Sequence, residues 1–166
     1  MNSFRLYLVR FIVLLLPETR CFKAKCALYR FVGIKIGANV RICSSARFLG
    51  TGSVEIGSNT WIGHHVLIIS SSYIKIGSDV DLAPNVYIGT GSHDIDPIGE
   101  RSAGVGYNKD VIIGDGSWLC VNACILSGVT VGRKCVIAAG AVVVNDTENL
   151  SVYGGVPAKK IKPIIS

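Results

Sequence analysis

Long apolar runs are scarce in this 166-residue chain. Within the apolar amino-terminal segment Leu6–Leu16, the longest uncharged stretch is the six residues Phe11–Leu16, whereas a membrane-spanning helix needs about 20. No spanning helix is expected there. A cleaved signal peptide is not expected either, because Arg10 breaks the apolar region and Pro17-Glu18-Thr19-Arg20 offers no small-residue cleavage site. Charged residues are only 17% of the chain against 49% hydrophobic ones, which excludes intrinsic disorder and leaves ample material for a core. There is no C-x-x-C among the six cysteines, and a core-forming chain of this length needs no disulfide framework, so the thiols read as reduced. Histidine occurs only at His64, His65 and His93.

Glycine is the residue in excess: 19 are present, where average usage of about 7% gives about 12. A helical bundle would not tolerate that many. Charge is unevenly placed. Residues 1–35 carry seven basic residues against Glu18 alone, and the stretch from Val156 onward adds Lys159, Lys160 and Lys162 with no acid. The body between them is net acidic. No basic face interleaved with aromatics and no reading helix is present, so nucleic acid is not an expected partner. Small phosphorylated ligands or an anionic membrane surface fit the two basic ends better.

From Ile36 onward an aliphatic or aromatic residue, usually followed by a small one, returns every six residues. Ile36-Gly37, Ile42-Cys43 and Phe48-Leu49 form one block; Ile56-Gly57, Ile62-Gly63 and Ile68-Ile69 form the next; Ile76-Gly77, Leu82-Ala83 and Ile88-Gly89 form a third. Two-residue inserts, Val54-Glu55 and Ile74-Lys75, separate these blocks. The register breaks over Asp94–Ile112 and resumes at Ile113-Gly114, running to Val143-Val144. A period of six is neither that of a helix nor that of a strand, so it describes a repeat architecture. Each hexapeptide supplies a short strand and a corner, three make a triangular coil, and coils stack at the strand spacing of about 4.8 Å. The expectation is an all-β fold: a single-stranded parallel β-helix of about five coils over residues 36–148, with loop 94–112 protruding. A hydrophobic, basic helical segment (1–35) precedes it and a short basic tail (149–166) follows. The amino-terminal helix has two open readings: a cap over one end of the β-helix, or an interfacial helix at the membrane surface.

The hexapeptides, with Ala83-Pro84-Asn85-Val86, Gly91-Ser92-His93-Asp94-Ile95-Asp96, Gly114-Asp115-Gly116-Ser117-Trp118-Leu119 and Gly155-Val156-Pro157-Ala158-Lys159, resemble the left-handed β-helix acyltransferases. The branch they most resemble is the sugar O-acetyltransferases of bacterial surface-polysaccharide biosynthesis, related to galactoside and maltose acetyltransferases. The resemblance implies a left-handed coil, a homotrimer with sites between subunits, acetyl-CoA as acyl donor, a saccharide acceptor and no metal. A cytoplasmic location follows from it, with peripheral attachment at the inner face of the membrane if the amino-terminal helix is interfacial.

Within that frame His93, at the base of the long loop, is the expected general base. An alcohol is a poor nucleophile and needs a proton removed, whereas a thiolate with a pKa of about 8.5 leaves readily, so one imidazole suffices. Asp94 or Asp96 could orient it, or simply be solvated. Asn85 resembles the asparagine that positions the acceptor, the plain alternative being a hydrogen-bonding corner residue. Trp118, Ala139 and Gly140 match positions along the pantetheine arm, and Lys159 and Lys162 match tail positions that meet the coenzyme's phosphates. Val121 and Val144 depart from the family's usual small residue and threonine, which bears on individual coenzyme contacts. No metal site is expected, since His64 and His65 are adjacent on a strand and face opposite ways while His93 lies more than a coil away. The alternative to an enzyme is a trimeric β-helix scaffold at the membrane surface.

Overall fold

The computed structural model describes residues 3–164. The hexapeptides wind into a three-faced prism with parallel strands on every face. The first face stacks Lys35–Ile36, Ser53–Ile56, Tyr73–Ile76, Val111–Ile113 and Thr130–Val131. The second stacks Arg41–Ile42, Trp61–Ile62, Asp81–Leu82, Trp118–Leu119, Val136–Ile137 and Ser151–Gly154, and Lys159–Pro163 closes it as an antiparallel edge. The third stacks Arg47–Leu49, Leu67–Ile69, Tyr87–Gly89, Cys124–Ile125 and Val142–Val143. Five complete coils result, and the stack runs beyond residue 148 into a partial sixth at Ser151–Gly154.

The period places the apolar residue of each hexapeptide inside. Ile42, Ile62, Leu82, Leu119 and Ile137 line up behind the second face, and Ile68, Ile88 and Ile125 behind the third, all with no exposed surface. The small residue beside them has a different cause. A Cβ on Gly57 would stand 2.4 Å from the Ser78 backbone nitrogen of the next coil, so only glycine lets the coils stack there. Two corner columns need a left-handed backbone instead. Asn39, Asn59, Asp79, Gly116 and Lys134 form one, and His65, Asn85, Asn122 and Gly140 the other, all with φ between 49° and 70°. Asparagine, aspartate and glycine are the residues that enter this region at least cost, and a side-chain ladder from Asn39 through Asn59 to Asp79 adds hydrogen bonds along the first column.

Two helices close the amino-terminal end: α1 (Ser3–Leu14) and α2 (Phe22–Phe31). Leu6, Val9 and Val13 of α1 are buried, as are Cys26 and Tyr29 of α2, and the Tyr29 ring packs on Phe48 with centroids 4.8 Å apart. Phe22 meets Trp61 edge-on, and the Arg41 guanidinium lies over the same indole. The connector is tied down by Lys25, fully buried, whose Nζ donates to the carbonyls of Pro17, Glu18 and Ile42. The capping reading of the amino-terminal helix therefore describes its inner face. No helix among the described residues is long and apolar enough to cross a membrane.

Candidate functional site

At the corner between the third and first faces the coils carry Gly50-Thr51-Gly52, then Ser70-Ser71-Ser72, then the long excursion that follows Thr90. The first two are tight turns. The third is a two-stranded antiparallel hairpin, Gly91–Ile95 against Ala103–Asn108, where the sequence suggested a protruding loop over 94–112. Its base is fixed by buried groups: Thr90 has no exposed surface, its carbonyl accepts from Lys109 N, and its Oγ1 accepts from Ser71 N. Asp110 receives Tyr73 N on the returning strand.

His93 pairs with Gly106 across the hairpin, and the register shifts between His93 and Ile95. Such a bulge re-aims groups on both strands. Here it presents the Gly104 carbonyl to the ring, 2.9 Å from Nδ1. A carbonyl only accepts, so Nδ1 donates, and in the neutral ring Nε2 is then the acceptor. Gly106 leaves the face of the imidazole bare: a Cβ there would lie 3.4 Å from Cε1 and 3.9 Å from Nε2. Together Gly91, Ser92, His93, Gly106, Tyr107 and Asn108 line an open depression of about 370 Å³. Lys109 lies over the Tyr107 ring at 5.0 Å.

Other expected residues fall elsewhere. Asp96 does not orient His93: its Oδ1 accepts from Ile98 N and Gly99 N and caps the hairpin tip, and these backbone bonds hold its carboxyl below the usual range. Asp94 is exposed at the bulge, and the group on Nδ1 is the Gly104 carbonyl instead of either carboxylate. Asn85 sits at the opposite end of strand Tyr87–Gly89 from the hairpin, in the left-handed corner column, where its backbone N–H donates to the His64 carbonyl. Within one chain it does not meet His93, and the same backbone bond is made by Gly140 further along the column. Trp118 is half exposed on the outward row of the second face, between Asp81 and Val136. Gly140 continues the corner column of Asn85 and Asn122, with open space where a Cβ would be, and Ala139 beside it is exposed. Lys159 and Lys162 are exposed on the closing antiparallel strand, where Lys160 instead pairs with Glu148 at 2.6 Å. Sequence reasoning missed Gly104 and Gly106. Two glycines spaced by one residue and followed by Tyr107 were the available signal, readable only once the hairpin register is known.

Among the described residues one cluster could hold a metal by composition: Glu18, Cys43 and His64 offer ligand atoms within 4.8 Å of one another. Its donors are already used. Glu18 Oε1 accepts from Ser45 N and Ser45 Oγ and lies 3.1 Å from His64 Nδ1. The Cys43 thiol is pushed up to about 11, by burial first and then by the Glu18 charge, so it stays protonated near neutral pH. The buried Lys25 ammonium stands close to the same groups. The cluster fits a hydrogen-bonded clasp between the connector and the first two coils better than a cation site. All six cysteines are free.

Hexapeptide coils with a histidine-bearing hairpin at one corner define a parallel β-helix with one elaborated corner. Residues 110–145 match the bacterial transferase hexapeptide (six repeats) family. The galactoside O-acetyltransferase of Escherichia coli is 30% identical over 131 residues, covering 78% of this chain and 63% of that protein. The provisionally named colanic acid biosynthesis acetyltransferase of Escherichia coli is 29% identical over 142 residues, covering 85% of this chain and 75% of that protein. A hexapeptide-repeat acetyltransferase of Vibrio cholerae, solved with acetyl coenzyme A, superposes with a TM-score of 0.82 at 25% identity, covering 99% of this chain and 87% of that one. Residues 110–145 thus carry the hexapeptide transferase repeat, and over most of its length the chain is similar to galactoside O-acetyltransferases and shares the fold of solved hexapeptide-repeat and maltose acetyltransferases. Five of the curated relatives it matches are longer, and it spans 52% to 63% of their length.

Proposed function

We propose that the protein transfers an acetyl group from acetyl-CoA to a hydroxyl of a saccharide, in the making of a surface polysaccharide, with His93 as general base. The observation that carries this reading is the hydrogen bond from His93 Nδ1 to the Gly104 carbonyl, which leaves Nε2 free to accept a proton at an open depression. The acceptor hydroxyl gives its proton to Nε2 as its oxygen attacks the thioester carbonyl carbon. The C–S bond then breaks, the acetyl group is left on the sugar oxygen, and the thiolate takes a proton from the imidazolium or from water. In the Vibrio cholerae relative the bound ligand is acetyl coenzyme A, and the Escherichia coli relatives are named for a galactoside and for colanic acid. These names support the donor and the acceptor class.

Trp118, Ala139 and Gly140 would flank the pantetheine arm, and Lys159 and Lys162 would meet the coenzyme's phosphates. A homotrimer would supply the missing wall. His93 is exposed in the single chain, and Ile112, Trp118, Val121, Leu126 and Val144 are apolar residues left 37% to 52% exposed along the coils, a surface that neighbouring subunits would cover. The test is thiol release from acetyl-CoA by the purified full chain over a panel of free, nucleotide-linked and lipid-linked saccharides. Turnover with at least one acceptor, abolished in His93→Ala, supports the reading. A folded protein that binds no coenzyme and turns over no acceptor would instead leave a β-helix scaffold.

A further inference from the structure

We infer that the outward face of α1 is a docking surface for an anionic lipid membrane. Successive residues of a helix turn by about 100°, so Phe4, Leu8 and Phe11 fall in one stripe, opposite the buried Leu6, Val9 and Val13, and Leu15 follows in the turn just past the helix. The stripe is open: Phe4 is 72% exposed, Phe11 62% and Leu15 74%, with Tyr7 and Ile12 widening it on either side. The helix is thus apolar on two opposite faces, and the β-helix covers only one of them.

The polar residues mark the occupant. Arg5 and Arg10 fall on the two flanks between the buried and the open face, which is where cations sit when an apolar stripe enters the acyl region and the flanks lie at headgroup depth. Arg5 also rests over Phe31, itself 69% exposed, so the apolar surface continues onto α2. Arg20, in the connector, and Lys23, in α2, are exposed as well. Glu18 is the one acidic residue in this segment, and its carboxylate is held by Ser45 and His64 toward the coils. The segment's charge is therefore mainly positive, which complements anionic headgroups. A second copy docking on the same face would bring two positive rims together. At 12 residues α1 lies far below spanning length, which leaves binding in the interfacial plane.

The experiment is sedimentation of the full chain with vesicles of phosphatidylcholine alone and of phosphatidylcholine mixed with phosphatidylglycerol. The wild type should sediment with the anionic vesicles and far less with the neutral ones, and added salt should release it. Phe11→Asp with Leu15→Asp should weaken the partition at least about tenfold, with an unchanged melting temperature because both positions are exposed. Arg20→Glu with Lys23→Glu should also weaken it by about tenfold, in the anionic vesicles only. A wild type that stays in the supernatant with anionic vesicles overturns the inference. So does a lipid-free wild type that forms larger assemblies than the Phe11→Asp, Leu15→Asp variant, since the face would then belong to a second copy. Neither readout depends on acetyl transfer.

Discussion

Replacing Gly106 by valine should disable His93 without touching it chemically. The two residues are paired across the hairpin, and a Cβ at position 106 already stands 3.4 Å from Cε1, 3.7 Å from Nδ1 and 3.9 Å from Nε2. Alanine thus makes ordinary contact with the ring. Valine adds two methyl groups about 1.5 Å further out, and at least one of them must occupy the space of the imidazole or of the acceptor approaching it. If the ring turns aside, it forfeits the hydrogen bond to the Gly104 carbonyl, worth about 0.5–1.5 kcal/mol, and with it the orientation of Nε2. A misplacement of the base by about 1 Å costs about a hundredfold in rate. The expected result is Gly106→Ala within about threefold of wild-type kcat/KM and Gly106→Val lower by at least tenfold, a barrier change of about 1.4 kcal/mol. The assay is thiol release from acetyl-CoA with a saccharide acceptor. Position 106 is exposed, so the melting temperature should hardly move. A Gly106→Val protein with wild-type kcat/KM would show that the face of His93 is not where the acceptor lies.

Three further outcomes follow from particular contacts. Lys25→Met should lower stability by about 1–3 kcal/mol in urea unfolding, because three carbonyls lose their donor. Glu18 has burial acting to raise its pKa, but the Ser45 hydrogen bonds and the His64 charge outweigh it and bring the carboxyl below its ordinary value of 4.5. Its stabilising contribution is complete above that value and is lost as pH falls through the lowered one, so Glu18→Gln should flatten the acid limb of a stability-against-pH profile. Lys159→Glu with Lys162→Glu should raise the KM for acetyl-CoA with little change in kcat, since contacts to distant phosphates hold ground and transition states alike; an unchanged KM would place both lysines in solvent.

The hexapeptide period was the legible part. It identified the interior residues, such as Ile62, Leu82 and Leu119, and it located the corner from which the long excursion leaves, because each follows from side-chain size and spacing alone. The hairpin was not legible, since Gly91–Asn108 is rich in glycine and lacks the alternation that marks paired strands. The orientation of His93 depends on a backbone carbonyl, which no residue type announces. For Asn85 the acceptor role rests on resemblance alone, and its left-handed φ of 61° is a separate, backbone reason for an asparagine there that the sequence does not announce. The clasp of Glu18 with Ser45 and His64 joins residues 27 and 46 positions apart, a separation that only the stacking of coils on the capped end brings together.

The central claim is that His93 Nε2 takes the acceptor proton during acetyl transfer. The most direct test is the pH dependence of kcat for wild type and His93→Ala, with acetyl-CoA binding measured separately. The account predicts a wild-type rate with an acid limb, because a general base acts only in its unprotonated form. In the variant that limb should be absent, kcat lower by about 10²–10⁴-fold, and coenzyme binding unchanged. His64→Ala, remote from the hairpin, should keep the wild-type profile. An active His93→Ala protein with the same pH profile would contradict the claim.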